Sequence, residues 1–569
     1  MTAGALRVSV VVPTYNPGDG LDRLVASLLR QSMPATEFEV IFVDDGSTDA
    51  TPARLDALAA THPHFHVLHV EHSGWPSRPR NLGMARAVGE YVQFVDDDDW
   101  LADEALARLY GYAVDNGADI AIGRMAGHGR SVPRDLFRVN RPDATLADAP
   151  LMESLTCHKM FRRAFLIEHD LRFPEEGRKR LEDHHLVTRA YLLSQRTCVL
   201  SDYTCYHHSR RPGGGNLTAA RIEPEGYFRS LREVLDIVDA HTEPGPFRDR
   251  LHQRWLRIEM VRRLRGDRLR NAPRDWVDRM AAEVGRTIRE RFAPGVAAGL
   301  PTLERTVAGL AERGRIEDLF RIAEWEAGIQ AKVRLKAYEL TGHTLTVTVG
   351  GRLRVGDRPV SYDRTPDGRE LLALPVEEIP AELVDCSDEL LATTDELRRA
   401  RLDVVARRVA DGDEFYQPVS FEVDRVPHRW GGLRLMWQGR ATVDFRTLDG
   451  GRTEGDWILK ARLTGSGFEV DANLPLALSC AADGARPVVV DKRPPRPRPA
   501  APAPRTGPWQ RLKVAVRQRL GQAGWSTRGS VGGTRGSVGR TGGTGGPGGA
   551  LDRSATGCET VCRSPELGV

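Results

Sequence analysis

The acidic residues of this 569-residue chain include three short runs that merit chemical attention: Asp44-Asp45, Asp96-Asp97-Asp98-Asp99 and Glu182-Asp183. An acidic pair at the end of an apolar run is weak evidence, because Asp commonly caps the helix that follows. Four consecutive aspartates are harder to explain that way. Crowding four carboxylates raises the cost of ionising all of them unless a cation compensates. Hard oxygen donors with open positions suit Mg²⁺ or Mn²⁺ bridging to phosphate. Glu182-Asp183, in RKRLEDHHLVTRA, opens a helical pattern, where the helix dipole by itself favours acids. Three further stretches carry polar groups: Pro13-Thr14-Tyr15-Asn16, the run Ser73 to Asn81, and Tyr206-His207-His208-Ser209-Arg210-Arg211, which leads into Gly213-Gly214-Gly215.

These groups need elements to place them. VSVVV (8–12), EVIFV (39–43), HVLHV (66–70), YVQFV (91–95) and ADIAI (118–122) read as strands. Helical patterns at 21–31, after Thr51-Pro52, at 78–87 and at 103–116 alternate with them. Short β-branched runs alternating with helices predict a mostly parallel sheet covered on both faces. Ligands on such sheets bind beyond the carboxyl ends of the strands, which is where the first two acidic runs fall. Residues from about 150 to 235 are mixed in pattern. From about 228 to 330 the spacing is helical, and from Ala331 it switches to period two, as in KVRLKAYELTGHTLTVTVGGRLRV, SFEVDRV (420–426), ATVDFRTL (441–448) and FEVDANLPL (468–476). That predicts an all-β accessory region of one or two sandwiches. RPPRPRPAAPAPR then reads as an extended linker. The 13 glycines of residues 521–549 predict disorder.

Hydrophobic residues make up 40% and charged residues 28%, as in a globular protein with real cores. The length predicts about three to four domains. No run approaches the roughly 18–20 apolar residues of a bilayer-spanning helix, and the N-terminal residues run into a strand without a basic-then-apolar leader. Seven cysteines are too few and scattered for a disulfide scaffold, and Cys558 and Cys562 form an isolated C-x3-C pair. These features lead to the expectation of a cytoplasmic protein. The net charge of +3 is uneven: 14 Lys/Arg face 4 Asp/Glu from Asp491 onward. The body is therefore net negative and unsuited to nucleic acid. The basic segment Trp509–Leu520, helped by the tail's charge, could rest on anionic lipid as a peripheral contact, or could be a solvated tail.

VSVVVPTYN, VDDGSTD, RNLGMARAVGEYVQFVDDDDW and LEDHH, in that order over residues 6–225, resemble family 2 glycosyltransferases of the GT-A fold. The Ser73-Gly74-Trp75-Pro76 and Pro79-Arg80-Asn81 stretch resembles, within that family, the wall teichoic acid transferases that decorate poly(ribitol phosphate). The resemblance implies a catalytic domain over 1–227, a helical linker over 228–330, a β-sandwich oligomerisation region over 331–490 that trimerises in those enzymes, and a basic disordered tail over 491–569. It further implies that Pro13 and Tyr15 line the nucleotide, with Tyr15 stacked on uracil and Asp45 accepting from the ring nitrogen. Arg80 and Asn81 would face the nucleotide and diphosphate, a role to which the planar guanidinium is suited. Asp98 would be a direct ligand of Mn²⁺ or Mg²⁺ and Asp96 would lie nearer the ribose and donor sugar, although spacing alone leaves Asp97 and Asp99 as alternatives. Glu182 and Asp183 would be the family's acidic pair, with Asp183 as general base.

The segment around His207, His208, Arg210 and Arg211 would close over the diphosphate and complete the metal shell, a motion its glycines permit. An ordinary basic surface loop is the alternative. His158 and Lys159 either line the acceptor side or simply pack. The implied reaction is inverting transfer of a sugar, GlcNAc first among candidates, from a UDP-sugar to a hydroxyl of a polyol-phosphate or other glycan. Gln253-Arg254-Trp255 lacks the spacing of the processive Q-x-x-R-W motif and is expected to pack. A non-catalytic glycan-binding scaffold is the rival from another class, and the retained Asp96, Asp98 and Asp183 argue against it. A dinucleotide oxidoreductase is disfavoured because no G-x-G-x-x-G follows the first strand. A metal phosphoesterase would leave Tyr15, Asp45 and the Glu182-Asp183 pair without work.

Overall fold

A computed structural model describes residues 6–176, 180–209, 221–374, 391–428, 432–481 and 485–493. Arg210, Arg211, the three glycines after them and the basic segment Trp509–Leu520 lie outside the described residues. So do Cys386, Cys558 and Cys562.

The N-terminal half alternates as its apolar runs demand. Strands β1 (Val8–Thr14) and β2 (Phe38–Asp44) are buried along their whole length, which is why their sequences are continuously apolar rather than alternating. With β3 (Phe65–His69) and β4 (Tyr91–Phe94) they form a parallel run in the order β3-β2-β1-β4. Helices α1 (Gly20–Leu29), α2 (Thr51–Thr61) and α3 (Ser77–Arg86) make the crossovers. Thr14 is in register with Asp44, and Val11 with Phe94, so the loops carrying Tyr15, Asp45 and Asp96 emerge side by side.

Beyond β4 the sheet becomes mixed. The two-residue β5 (Trp100–Leu101) leads through α4 (Ala105–Asp115) to β6 (Ile120–His128). Then come β7 (Arg141–Ala144), β8 (Met160–Arg162), α5 (Arg163–Glu168), α6 (Glu182–Leu193) and β9 (Thr197–Ser209). Strand β8 pairs antiparallel with both β4 and β6, β9 runs parallel to β6, and β5 lies antiparallel on β9 with Trp100 opposite His207. Strands β8 and β9 fall within the stretch whose sequence pattern is mixed. The three residues of β8 are too few to show a period, and β9 carries polar side chains at buried positions.

Helices from Pro224–His241 to Ile316–Ala327 follow. A π-helical turn, Trp255–Met260, sinks Trp255 completely. Gln253-Arg254-Trp255 packs, as its sequence suggested: Arg254 donates to Met152 O (2.9 Å) and Glu259 (2.9 Å), and Trp255 Nε1 donates to His184 Nδ1 (3.3 Å) on α6. The linker thereby braces the helix that bears Glu182 and Asp183.

The C-terminal part consists of two antiparallel sheets facing each other. The hairpin Ile329–Thr341/Thr344–Val355 pairs with Leu433–Asp444, and Arg401–Arg408 pairs with Gly455–Gly465, which pairs with Phe468–Cys480. Glycines allow the close approach between the sheets: a Cβ on Gly439 would stand 2.8 Å from Leu402, and one on Gly351 would stand 3.0 Å from Leu463. This region docks on the N-terminal sheet. Arg138 makes two 3.1 Å bonds to the buried Asp403 and lies over the Tyr416 ring, while Arg452 lies over Tyr203.

Candidate active site

The loop bearing Asp96, the segment bearing Phe173 and the start of α6 converge on one guanidinium. Arg80, on α3, is buried; its Nη2 donates to Asp96 Oδ1 (2.8 Å), and its Nη1 donates to Asp183 Oδ1 (2.9 Å) and Glu182 Oε1 (3.3 Å). Burial opposes its charge, but the surrounding Asp183, Asp96 and Glu182 charges overcome that and hold it ionised. Phe173 lies under the guanidinium, 5.2 Å from ring centre to Cζ. Glu182 and Asp183 reach this point because α6 begins there, after Leu181 adopts the left-handed region at φ 67°. A bulky side chain in that region is strained. Burial, and then the Asp183 charge, push the Glu182 carboxyl up to about 7.

The four aspartates separate by role. Asp97 Oδ2 accepts from the Tyr15 backbone N–H (3.1 Å). Asp99 is fully buried and accepts from Tyr206 Oη (2.6 Å) and from the Ser209 backbone N–H (2.6 Å). Burial, with the charges of Asp96 and Asp98, raises it to about 7. Asp96 bridges Arg80 and His158 Nε2 (3.0 Å), and although burial works against its charge, those two cations hold it well below the usual carboxylate range. Asp96 and Asp98 remain partly exposed.

Ligand atoms of Asp96, Asp98 and Asp99 lie within 4.8 Å of one another. A second group, Asp99, His158 and His208, shares Asp99 with the first. The donor set is hard oxygen with an imidazole edge, and it contains a carboxyl whose ionisation is penalised by its acidic neighbours. It fits Mg²⁺ or Mn²⁺.

Asp45 is buried at the end of β2, where Ser73 N (2.9 Å), Ser73 Oγ (2.7 Å) and Gly74 N (3.2 Å) donate to its carboxylate. Gly46 makes that turn at φ +70°, and a Cβ there would meet His72 N at 2.9 Å. Tyr15 follows Pro13 and Thr14 out of β1, with its half-exposed ring stacked on His72 (4.2 Å between centroids). Asn81 points elsewhere. Its amide clamps the next segment, donating to Phe173 O (2.9 Å) and Glu175 (2.7 Å) and accepting from Phe173 N (2.9 Å).

Strand alternation divides the two histidines of β9. His208 joins Tyr206 and His158 on the side of the acids, with Arg130 Nη1 2.6 Å from its Nε2. His207 faces the other way, stacked on Trp100 and paired with His128. Lys159 is buried against Ser154 and Thr156, and burial lowers its ammonium to about 7. Sequence alone does not decide whether His158 lines the acceptor side or packs, and it assigns Tyr206 no role of its own. The pairing of β8 with β4 and β6 brings His158, and that of β9 with β5 and β6 brings Tyr206, beside Asp96 and Asp99.

A family model described as glycosyl transferase family 2 matches residues 9–168, and one described as the glycosyl transferase TarS linker domain matches residues 224–323. The Staphylococcus aureus poly(ribitol-phosphate) beta-N-acetylglucosaminyltransferase TarP is 33% identical over 237 residues, covering 41% of this chain and 72% of TarP. The chain belongs to glycosyl transferase family 2. Two longer relatives within this family are the Bacillus spizizenii poly(ribitol-phosphate) beta-glucosyltransferase (33% identical) and the S. aureus poly(ribitol-phosphate) beta-N-acetylglucosaminyltransferase TarS (35% identical). These matches cover 41% and 42% of this family 2 chain but only 37% and 42% of those relatives, so the chain spans less than half of their length. Among solved structures, S. aureus TarS 1–349 in complex with UDP-GlcNAc matches with a TM-score of 0.51 at 25% identity, over 62% of this chain and 98% of that one. The crystal structure of S. aureus TarS shares the fold over 85% of both chains, with a TM-score of 0.50 at 19% identity. Among the described residues, no helix is long and apolar enough to cross a membrane.

Proposed function

We propose that this chain is an inverting, metal-dependent glycosyltransferase. It moves a sugar, GlcNAc first, from a UDP-sugar to a hydroxyl of a polyol-phosphate polymer of the teichoic acid kind. The observation that carries the reading is the single buried Arg80 bridging Asp96 on the donor side and Asp183 on α6. One guanidinium thus fixes the spacing between the donor-side acid and the group that takes the proton. Asp183, partly open to solvent, removes the proton from the acceptor hydroxyl, and Arg80 holds it oriented for that task. The oxygen attacks the anomeric carbon from the face opposite UDP, and one displacement inverts the configuration. Tyr15 leaves His72 to stack on uracil, whose N3–H Asp45 receives. Asp96 and Asp98, with His208 nearby, would hold the divalent ion, which when bound neutralises charge on the leaving diphosphate.

The reading is supported by the names of the relatives, which include both a glucosyl- and an N-acetylglucosaminyltransferase. The reading assigns contacts with the diphosphate to Arg210 and Arg211, which lie outside the described residues. The reading also carries a trimer through residues 331–490 and peripheral contact through the basic tail. The test is incubation with UDP-GlcNAc or UDP-glucose, Mn²⁺ and poly(ribitol phosphate), with proton NMR of the product's anomeric centre. A β-linked product supports the proposal, and the better donor identifies the sugar. An α-linked product, or no transfer from any UDP-sugar, overturns it.

A further inference from the structure

A second cluster of metal-ligand type lies off the catalytic centre, where the β-region meets the catalytic sheet. His207, on the face of β9 opposite His208, places its Nδ1 3.0 Å from Nε2 of His128, at the end of β6. The third member, Asp413, comes from the turn between the strands Arg401–Arg408 and Glu414–Gln417. Ligand atoms of the three lie within 4.8 Å of one another. Asp413 is 4% exposed, and its Oδ1 is buried without a hydrogen-bond partner. A buried, unpartnered carboxylate oxygen beside two imidazoles is costly unless something binds it. The separation of the two nitrogens also suits an ion, since nitrogens about 2.05 Å from a tetrahedral zinc stand about 3.3 Å apart.

The Trp100 ring stacks on His207 within 5° of parallel and holds its plane. Asp413 also lines an open cleft between β6 and the β-region, together with Gly127 and Glu414.

We propose that His128, His207 and Asp413 form a site for a divalent transition ion of the zinc class that staples the β-region to the catalytic sheet. Two imidazoles and one carboxylate favour such an ion over Mg²⁺ or Ca²⁺. The fourth position would be left to water.

The full chain, stripped with chelator and reloaded with Zn²⁺, would be dialysed to equilibrium and its zinc content measured by mass spectrometry. Its Co²⁺ form would be examined for tetrahedral visible bands. The near-isosteric Asp413→Asn guards against His128→Ala failing to fold. The proposal expects the wild type to hold one more zinc per chain than either variant, and the Co²⁺ bands to vanish in both. Equal zinc content in wild type and Asp413→Asn, or no bands in the wild type, overturns it.

Discussion

Replacing Arg80 with Met tests the organising claim about the active site, because the side chain keeps much of its volume and loses its charge. In the wild type its guanidinium reaches Asp96, Glu182 and Asp183 from a position only 3% exposed. Removing one partner of a buried ion pair costs about 3–5 kcal/mol, because the remaining charge stays buried and uncompensated. For a domain of 150–250 residues that corresponds to a fall in Tm of about 6–20 °C. The pH dependence distinguishes this cause from lost packing. Asp96 sits well below the ordinary carboxylate range because Arg80 and His158 outweigh its burial. Its contribution is therefore present above the unfolded value near 3.8 and undiminished at pH 5 in the wild type. Without Arg80 the folded-state values of Asp96 and Glu182 both rise, so the variant binds protons as pH falls, while the wild-type Asp96 does not. The gap between wild type and Arg80→Met should be large at pH 8 and narrow towards pH 5, as read by thermal unfolding at several pH values. A gap that stays constant with pH would show that Arg80 acts through packing and would refute the electrostatic account.

The other expectations address single roles. Asp183→Asn should lower turnover by about 10²–10⁴-fold, as for loss of a general base, and leave UDP-sugar affinity nearly unchanged by calorimetry. Asp98→Asn should abolish the Mn²⁺-dependent part of the thermal shift with UDP, a shift worth about 2.7 kcal/mol in the wild type at 100 times its dissociation constant. Glu182 titrates near 7 in the folded protein against an ordinary 4.5, so the native state keeps a proton that the unfolded chain releases, and stability falls as pH rises between those values. Glu182→Gln should remove that slope and gain up to about 3 kcal/mol relative to wild type by pH 8, measured by denaturant unfolding at pH 5 and 8.

The elements legible in the sequence are those whose burial is local. Strands β1 and β2 and the loops after them could be read from VSVVV and EVIFV because both faces of each strand are covered, and the pattern needs no knowledge of neighbours. The partners of Arg80 cannot be read that way, since they lie 16, 102 and 103 residues away. The same limit explains why His207 and His208 could not be told apart. They alternate across β9, and which face meets the acids is set by the pairing of Trp100 with His207 in a two-residue strand that has no sequence signature.

The aspartate run shows how the fold resolves what spacing leaves open. Four adjacent carboxylates are chemically equivalent on paper. In the folded chain alternate members point inwards, so Asp97 is buried on the Tyr15 backbone and Asp99 beneath Tyr206 and Ser209. Asp96 and Asp98 keep access to solvent. A ligand arriving from outside therefore meets a D-x-D pair, although the sequence supplies D-D-D-D. The buried aspartates do work of their own: Asp97 fixes the backbone of the residue expected to stack on the base, and Asp99 ties the loop to β9, the strand that carries His208. Substituting either would disturb the positions of neighbouring groups, whereas substituting Asp98 would remove a donor atom and leave those contacts in place.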